Sequence, residues 1–155
     1  MAPDINVLLA ASRTDHPHHR PALRWLRQAI AACEDGGSIE ILPMVAAGFL
    51  RLATHPKIFV NPTPVEAAVE FIDSLLAVDG VDMPALGPEW PMLKRTAVEQ
   101  RLAANDIPDA WIAAAIKVSG GHLVTFDRGF VRLLGRSEAR TDDFIRLSPL
   151  LSTQD

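Results

Sequence analysis

Apolar positions along this chain follow two different spacings, and the switches between them divide it into elements. From Pro17 to Cys33, the residues Ala22, Trp25, Leu26, Ala29, Ile30 and Cys33 recur at helical spacing with arginines on the opposite face, which predicts an amphipathic helix. Before it, APDINVLLAA is a short apolar segment broken at once by Asp4. It predicts a first strand that ends on a carboxylate and passes into a helical turn. The glycines of EDGGS close the amphipathic helix, and SIEIL alternates as a short strand. Met44 to Thr54 predicts a second helix carrying Phe49, Leu50 and Ala53, followed by the proline-rich loop HPKIFVNPTP. A third helix is expected from Pro64 to Val78, with Thr63 as N-cap and Glu66 at the spacing of a capping box. Asp79 to Pro88 reads as a connector with a brief strand, and Glu89 to Ala103 as a fourth helix. After a turn at NDIP, DAWIAAAIKVSGG predicts a helix with Asp109 in its first turn. HLVTFD then reads as a strand ending at Asp127, and FIRL near the C-terminus as one more.

Strands alternating with helices predict an α/β layer fold with a mainly parallel sheet covered by helices. No repeat or linker divides the chain, so residues 1–150 are expected to form one domain, with 151–155 as a loose tail. Ligands of such sheets gather beyond the carboxyl ends of the strands. Asp4 and Asp127 fall at predicted strand ends and Asp109 opens a helix, so the three are candidates to converge on one edge.

Composition narrows the setting. The chain has 155 residues, enough for one core, and is 48% hydrophobic with 22% charged residues, an apolar balance that leaves room for a partner interface. No apolar run is long enough to span a bilayer and the N-terminus lacks a basic leader, so no membrane and a cytoplasmic location are expected. Cys33 has no internal partner and reads as a small buried hydrophobe. The net charge of -4 is not that of a domain gripping nucleic acid through phosphate contacts alone. Any RNA contact must be local.

Three carboxylates at strand ends or a helix start suit a hard divalent cation, which takes oxygen ligands and supplies the missing positive charge. In phosphodiester hydrolysis such an ion bridges to phosphate, activates water and stabilises the leaving oxygen. Aspartates in these positions also cap backbone, and that reading stays open at this stage. Phosphatase and receiver-like domains likewise carry aspartates at strand ends, but they need a lysine that HLVTFDRGF lacks.

The blocks PDINVLLAA at 3–11, GFLRLATHPKIF at 48–59, IPDAWIAAAI at 107–116 and HLVTFDRGF at 122–130 resemble the ordered blocks of PIN-domain proteins, especially the VapC toxins of bacterial VapBC systems. The resemblance spans almost the whole chain and keeps block order and spacing. It implies a PIN-like three-layer α/β/α sandwich, endoribonuclease activity dependent on Mg²⁺ or Mn²⁺, a homodimer, and a cognate VapB-like antitoxin that blocks the active site. By the same resemblance Asp4, Asp109 and Asp127 are the catalytic, metal-binding acids, with Asn6 and Thr125 in support.

Two positions depart from the family pattern. Gly48 stands where a glutamate often precedes the FLR-like triplet, and Gly129 where a second acid often follows Asp127. The first loss should weaken metal binding, and it sustains a rival expectation: a PIN-fold module that binds RNA or an antitoxin without cutting. Asp106 is a candidate replacement acid, against a simpler role in the turn or as an N-cap. Arg51 and Arg128 are candidate RNA contacts, and Arg128, Arg132, Arg136 and Arg140 form a basic stripe if helical. The cluster Asp15, His16, His18 and His19 lacks the spacing of a zinc site and reads as a solvated helix entrance. Trp25, Trp90 and Trp111 are assigned to core or dimer packing rather than base stacking.

Overall fold

The computed structural model describes residues 1–134. The expected FIRL strand, Arg136, Arg140 and the tail at 151–155 lie outside them. The chain runs β1 (Ala2–Pro3), α1 (Ile5–Ser12), α2 (His19–Glu34), β2 (Ile39–Glu40), α3 (Pro43–Ala53), α4 (Val65–Leu76), β3 (Val81–Asp82), α5 (Trp90–Glu99), α6 (Asp106–Ser119), β4 (Leu123–Val124) and α7 (Phe130–Leu134). The expected alternation of strands and helices is present, including the brief strand in the connector, which is β3.

β1 pairs with β4 in parallel, Ala2 opposite Leu123 and Pro3 opposite Val124. β2 pairs with β3 in parallel, Ile39 opposite Val81. The two pairs meet edge to edge: the Met1 amine donates to the Ser38 carbonyl at 2.7 Å and the Glu40 amide to the Met1 carbonyl at 2.9 Å. The resulting strand order is β3-β2-β1-β4. Pro3 has no N–H to donate. Ala2 and Asp4 donate to His122 and Val124 of the β4 side, each at 2.8 Å, so the absent donor of Pro3 is the one that would face β2. Parallel direction puts the carboxyl ends of β1 and β4 on the same edge, which is what the site requires.

The expected helical turn after Asp4 is a full helix, α1, with Val7, Leu8, Leu9, Ala10 and Ala11 all buried. It is apolar nearly all round because it packs against both α2 and α3. Such a run lacks the polar face that reveals a surface helix. The predicted capping box does not form. α4 begins after Pro64 without a side-chain cap, since the Thr63 hydroxyl accepts from Arg13 Nη1 at 2.9 Å instead. The NDIP turn is also helical: α6 starts at Asp106, and Pro108 is tolerated because first-turn amides need no helical partner. α5 ends at Glu99, earlier than expected, and the link to α6 carries Arg101 and Ala104 at φ 51 and 48.

The main core gathers Leu8, Ile39, Ile41, Leu42, Phe49, Ile112, Leu123 and Phe130, while α5 and α6 enclose a smaller cluster of Leu93, Ala110 and Ala114. Trp25 is buried as expected, Trp111 is half-buried and Trp90 is 59% exposed. One buried cation holds two loops. Arg13 grips Asp15 through Nε at 3.0 Å and Nη2 at 2.7 Å, reaches Thr63 and the Asn61 carbonyl, and lies 3.7 Å over the Phe59 ring. The planar fork fills every one of these contacts, which an ammonium cannot do. Arg13→Ala should lower stability by about 2 kcal/mol, and Arg13→Lys by at least half as much, in thermal or denaturant unfolding.

Candidate active site

Asp4 follows β1 and precedes α1, so it is both the last residue of a strand edge and the N-cap of a helix. Its Oδ1 accepts from the Ile5 amide at 2.7 Å. Its Oδ2 accepts from the Thr125 hydroxyl, which sits just beyond β4, at 2.6 Å. The same hydroxyl oxygen accepts from Asn6 Nδ2 at 3.2 Å and from the Asp127 amide at 2.9 Å. Asn6 completes the circuit by accepting from the Phe126 amide at 3.1 Å. Thr125 is 1% exposed, so this network is closed to water on its inner side. The expected supporting residues thus meet one another, and Thr125 is the hub that joins the two strand ends.

Asp127 is exposed beyond β4, and its Oδ1 accepts from the Gly129 amide at 2.7 Å. A Cβ on residue 129 would stand 2.9 Å from that oxygen. A side chain at 129 would therefore displace the Asp127 carboxylate from this hydrogen bond. Asp109 is half-buried in the first turn of α6, where the free amide dipoles of the helix start favour negative charge.

These three acids feel one another. Burial, with the charges of Asp109 and Asp127 adding to it, pushes the Asp4 carboxyl from its ordinary 3.8 to about 6 against the pull of the Thr125 and Ile5 hydrogen bonds. Asp109 is raised by partial burial, then by the charges of Asp127 and Asp106. No ion pair among the described residues compensates Asp4, Asp109 or Asp127. As placed, no trio of Asp, Glu, His or Cys among the described residues is drawn around a single point. The oxygen chemistry and unmatched charge of Asp4, Asp109 and Asp127 fit a hard divalent ion.

Asp106 lies one turn before Asp109 at the surface, with Oδ1 4.0 Å from Arg132 Nη2. It is the first helical residue of α6 rather than its N-cap, which is Asn105. Arg51 is exposed in the last turn of α3, and Arg128 is exposed beside Asp127. No ion pair ties either arginine to the acids among the described residues.

Gly48 packs against Ile5, the first residue of α1, and a Cβ at position 48 would collide with Ile5 Cδ1 and stand 3.0 Å from Cγ1. An apolar side chain fills the space above the glycine next to Asp4. Spacing along the sequence gives no sign of this pairing. The histidine cluster also differs from expectation, since its members are half-buried and bonded. His19 Nδ1 lies 2.9 Å from the Ala10 carbonyl oxygen, His16 Nδ1 accepts from the His18 amide, and the His18 ring stacks on Phe126 at 4.9 Å. The loop from α1 to α2 is therefore fastened to the strand end that carries Thr125 and Asp127.

A family model described as PIN domain matches residues 1–134. The chain belongs to the PIN-domain family. It is 38% identical over 133 residues to Ribonuclease VapC31 of Mycobacterium tuberculosis, covering 83% of this chain and 89% of that relative. Ribonuclease VapC25 of the same organism is 35% identical over 130 residues, covering 83% and 89%. Ribonuclease VapC37 is 35% identical over 133 residues, covering 85% and 90%. The PIN-like α/β fold and the VapC-type resemblance expected from the sequence are both met. Among the described residues no helix is long and apolar enough to cross a membrane.

Two outcomes follow from the geometry of this PIN domain. Thr125→Val removes the donor to Asp4 and the acceptor for Asn6 and Asp127, and should cost about 1–3 kcal/mol in unfolding experiments, whereas Thr125→Ser should be nearly neutral. The second concerns pH. Below the ordinary carboxyl value of 3.8, Asp4 is protonated both folded and unfolded; between there and about 6 only the unfolded chain ionises. Stability of the metal-free protein should therefore fall as pH rises through that window, by at most about 3 kcal/mol, and flatten in Asp4→Asn. Thermal melts in EDTA across that range measure it.

Proposed function

We propose that this PIN domain is an endoribonuclease dependent on Mg²⁺ or Mn²⁺, acting in the cytoplasm as the toxin of a toxin–antitoxin pair. The observation that carries the reading is the placement of Asp4 and Asp127 after the parallel strands β1 and β4, with Asp109 near enough that its charge and that of Asp127 both act on Asp4 and no ion pair among the described residues offsetting them. The names of the relatives, all ribonucleases, support RNA as the substrate. Asp4, Asp109 and Asp127 would hold the ion. When bound, the ion supplies the positive charge and Lewis acidity that phosphodiester hydrolysis needs.

The chain's own residues do the rest. Thr125 fixes the Asp4 carboxylate through its short hydrogen bond, so one oxygen direction stays presented to the edge. Asn6 locks the backbone at Phe126 and thereby the approach of Asp127. Arg128 and Arg51, both exposed, are the cations offered to RNA phosphates. A VapB-like antitoxin covering this edge and a homodimer complete the reading, supported by the VapC names of the relatives.

A second reading, a binding module without cleavage, is favoured by one observation: position 48, beside Ile5 at the start of α1, carries a glycine and so offers no acid to the edge. One experiment separates the two. Purified protein free of antitoxin is incubated with total and transfer RNA in Mg²⁺, Mn²⁺ or EDTA, beside Asp109→Asn. Nuclease activity predicts discrete cuts that need metal and fall at least about 100-fold in the variant. RNA retained but uncut by a folded, metal-supplied protein would favour the binding module.

A further inference from the structure

On the α5 side of α6 lies a cavity of about 430 Å³, lined by Leu86, Gly87, Glu89, Trp90, Leu93 and Trp111. Trp111 is two positions after Asp109, which turns it roughly 200° around the helix from that acid. The cavity is therefore separate from the carboxylate edge. Its polar member is Glu89, only 5% exposed. Oε1 accepts from the Trp111 indole N–H and Oε2 from the Gly87 amide, both at 2.8 Å. Burial works against the charge, but these hydrogen bonds outweigh it and hold the Glu89 carboxyl below its ordinary range, so it is ionised at neutral pH. No ion pair among the described residues neutralises it.

Two hydrogen bonds offset part of the cost of burying this charge, and a cation reaching it would offset the rest. Around this charge stand two indoles, and Trp90 exposes 59% of its surface, unusual for so large an apolar ring. Indole faces attract cations, and planar guanidinium stacks on them better than ammonium does. Each Glu89 oxygen keeps a second lone pair for such a donor. An RNA phosphate is excluded by the negative charge, and a purely apolar plug would bury the charge still deeper. We propose that this cavity receives an arginine side chain of a partner polypeptide, its guanidinium lying against Trp90 and bonded to Glu89.

The test uses the full chain labelled with ¹⁵N, whose three tryptophans report as indole cross-peaks. N-acetyl-arginine amide is titrated against its neutral isostere N-acetyl-citrulline amide and against N-acetyl-leucine amide. Saturable shifts of the Trp90 and Trp111 peaks with the arginine probe alone, and an affinity reduced at least about fivefold in both Trp90→Ala and Glu89→Gln, are expected. Trp90 is exposed, so its alanine variant keeps the fold and decides the matter if Glu89→Gln unfolds. No saturable shift with the arginine probe, an equal response to citrulline or leucine amide, or affinity unchanged in Trp90→Ala would overturn the proposal.

Discussion

The hydrogen bond from the Thr125 hydroxyl to the Asp4 carboxylate, 2.6 Å long and buried, joins residues that are 121 positions apart. It adds a side-chain tie between the ends of β1 and β4 to the backbone bond from the Asp4 amide to the Val124 carbonyl. Asn6 and the Asp127 amide converge on the same hydroxyl, and Asn6 carries the constraint to the Phe126 backbone. The stack of His18 on Phe126 extends it to the entrance of α2. A hydroxyl suits the position because it donates once and accepts twice, matching a carboxylate on one side and two N–H groups on the other.

The edge is built against electrostatic preference. Burying Asp4 among other acids disfavours its charge, and two hydrogen bonds recover only part of the loss. The start of α6 gives Asp109 some relief through its dipole. A fourth acid would deepen the repulsion, and at position 48 the chain has instead a glycine sheltered by Ile5. The site is thus less acidic than the family pattern suggests, and its remaining carboxylates are held more by neutral donors than by cations. That balance suits a site completed by a mobile ion.

Much of this was legible in the sequence. The alternation of elements, the parallel sheet and the location of Asp4, Asp109 and Asp127 follow from periodicity, strand ends and block order. α1 was legible only as a turn, because VLLAA is buried on all sides and periodicity needs a polar face. The α4 capping box was misleading because Thr63 is claimed by Arg13, a contact across 50 positions that no local rule contains. Asp106 and Pro108 read as a turn although both fit a helical first turn. The Ile5 and Gly48 contact, the His18 stack and the Glu89 bond to Trp111 all join distant segments through shape, and shape has no spacing signature.

The claim that most needs a direct test is that Asp4, Asp109 and Asp127 form one electrostatic unit centred on a buried carboxylate. Carbon-13 NMR of the Asp4 side-chain carboxyl, titrated with pH in metal-free protein, reads it without reference to activity. The account predicts a midpoint near 6, lower when Asp109 and Asp127 are both replaced by asparagine and lower again with saturating Mg²⁺. A midpoint at the ordinary 3.8, unmoved by either change, would contradict it.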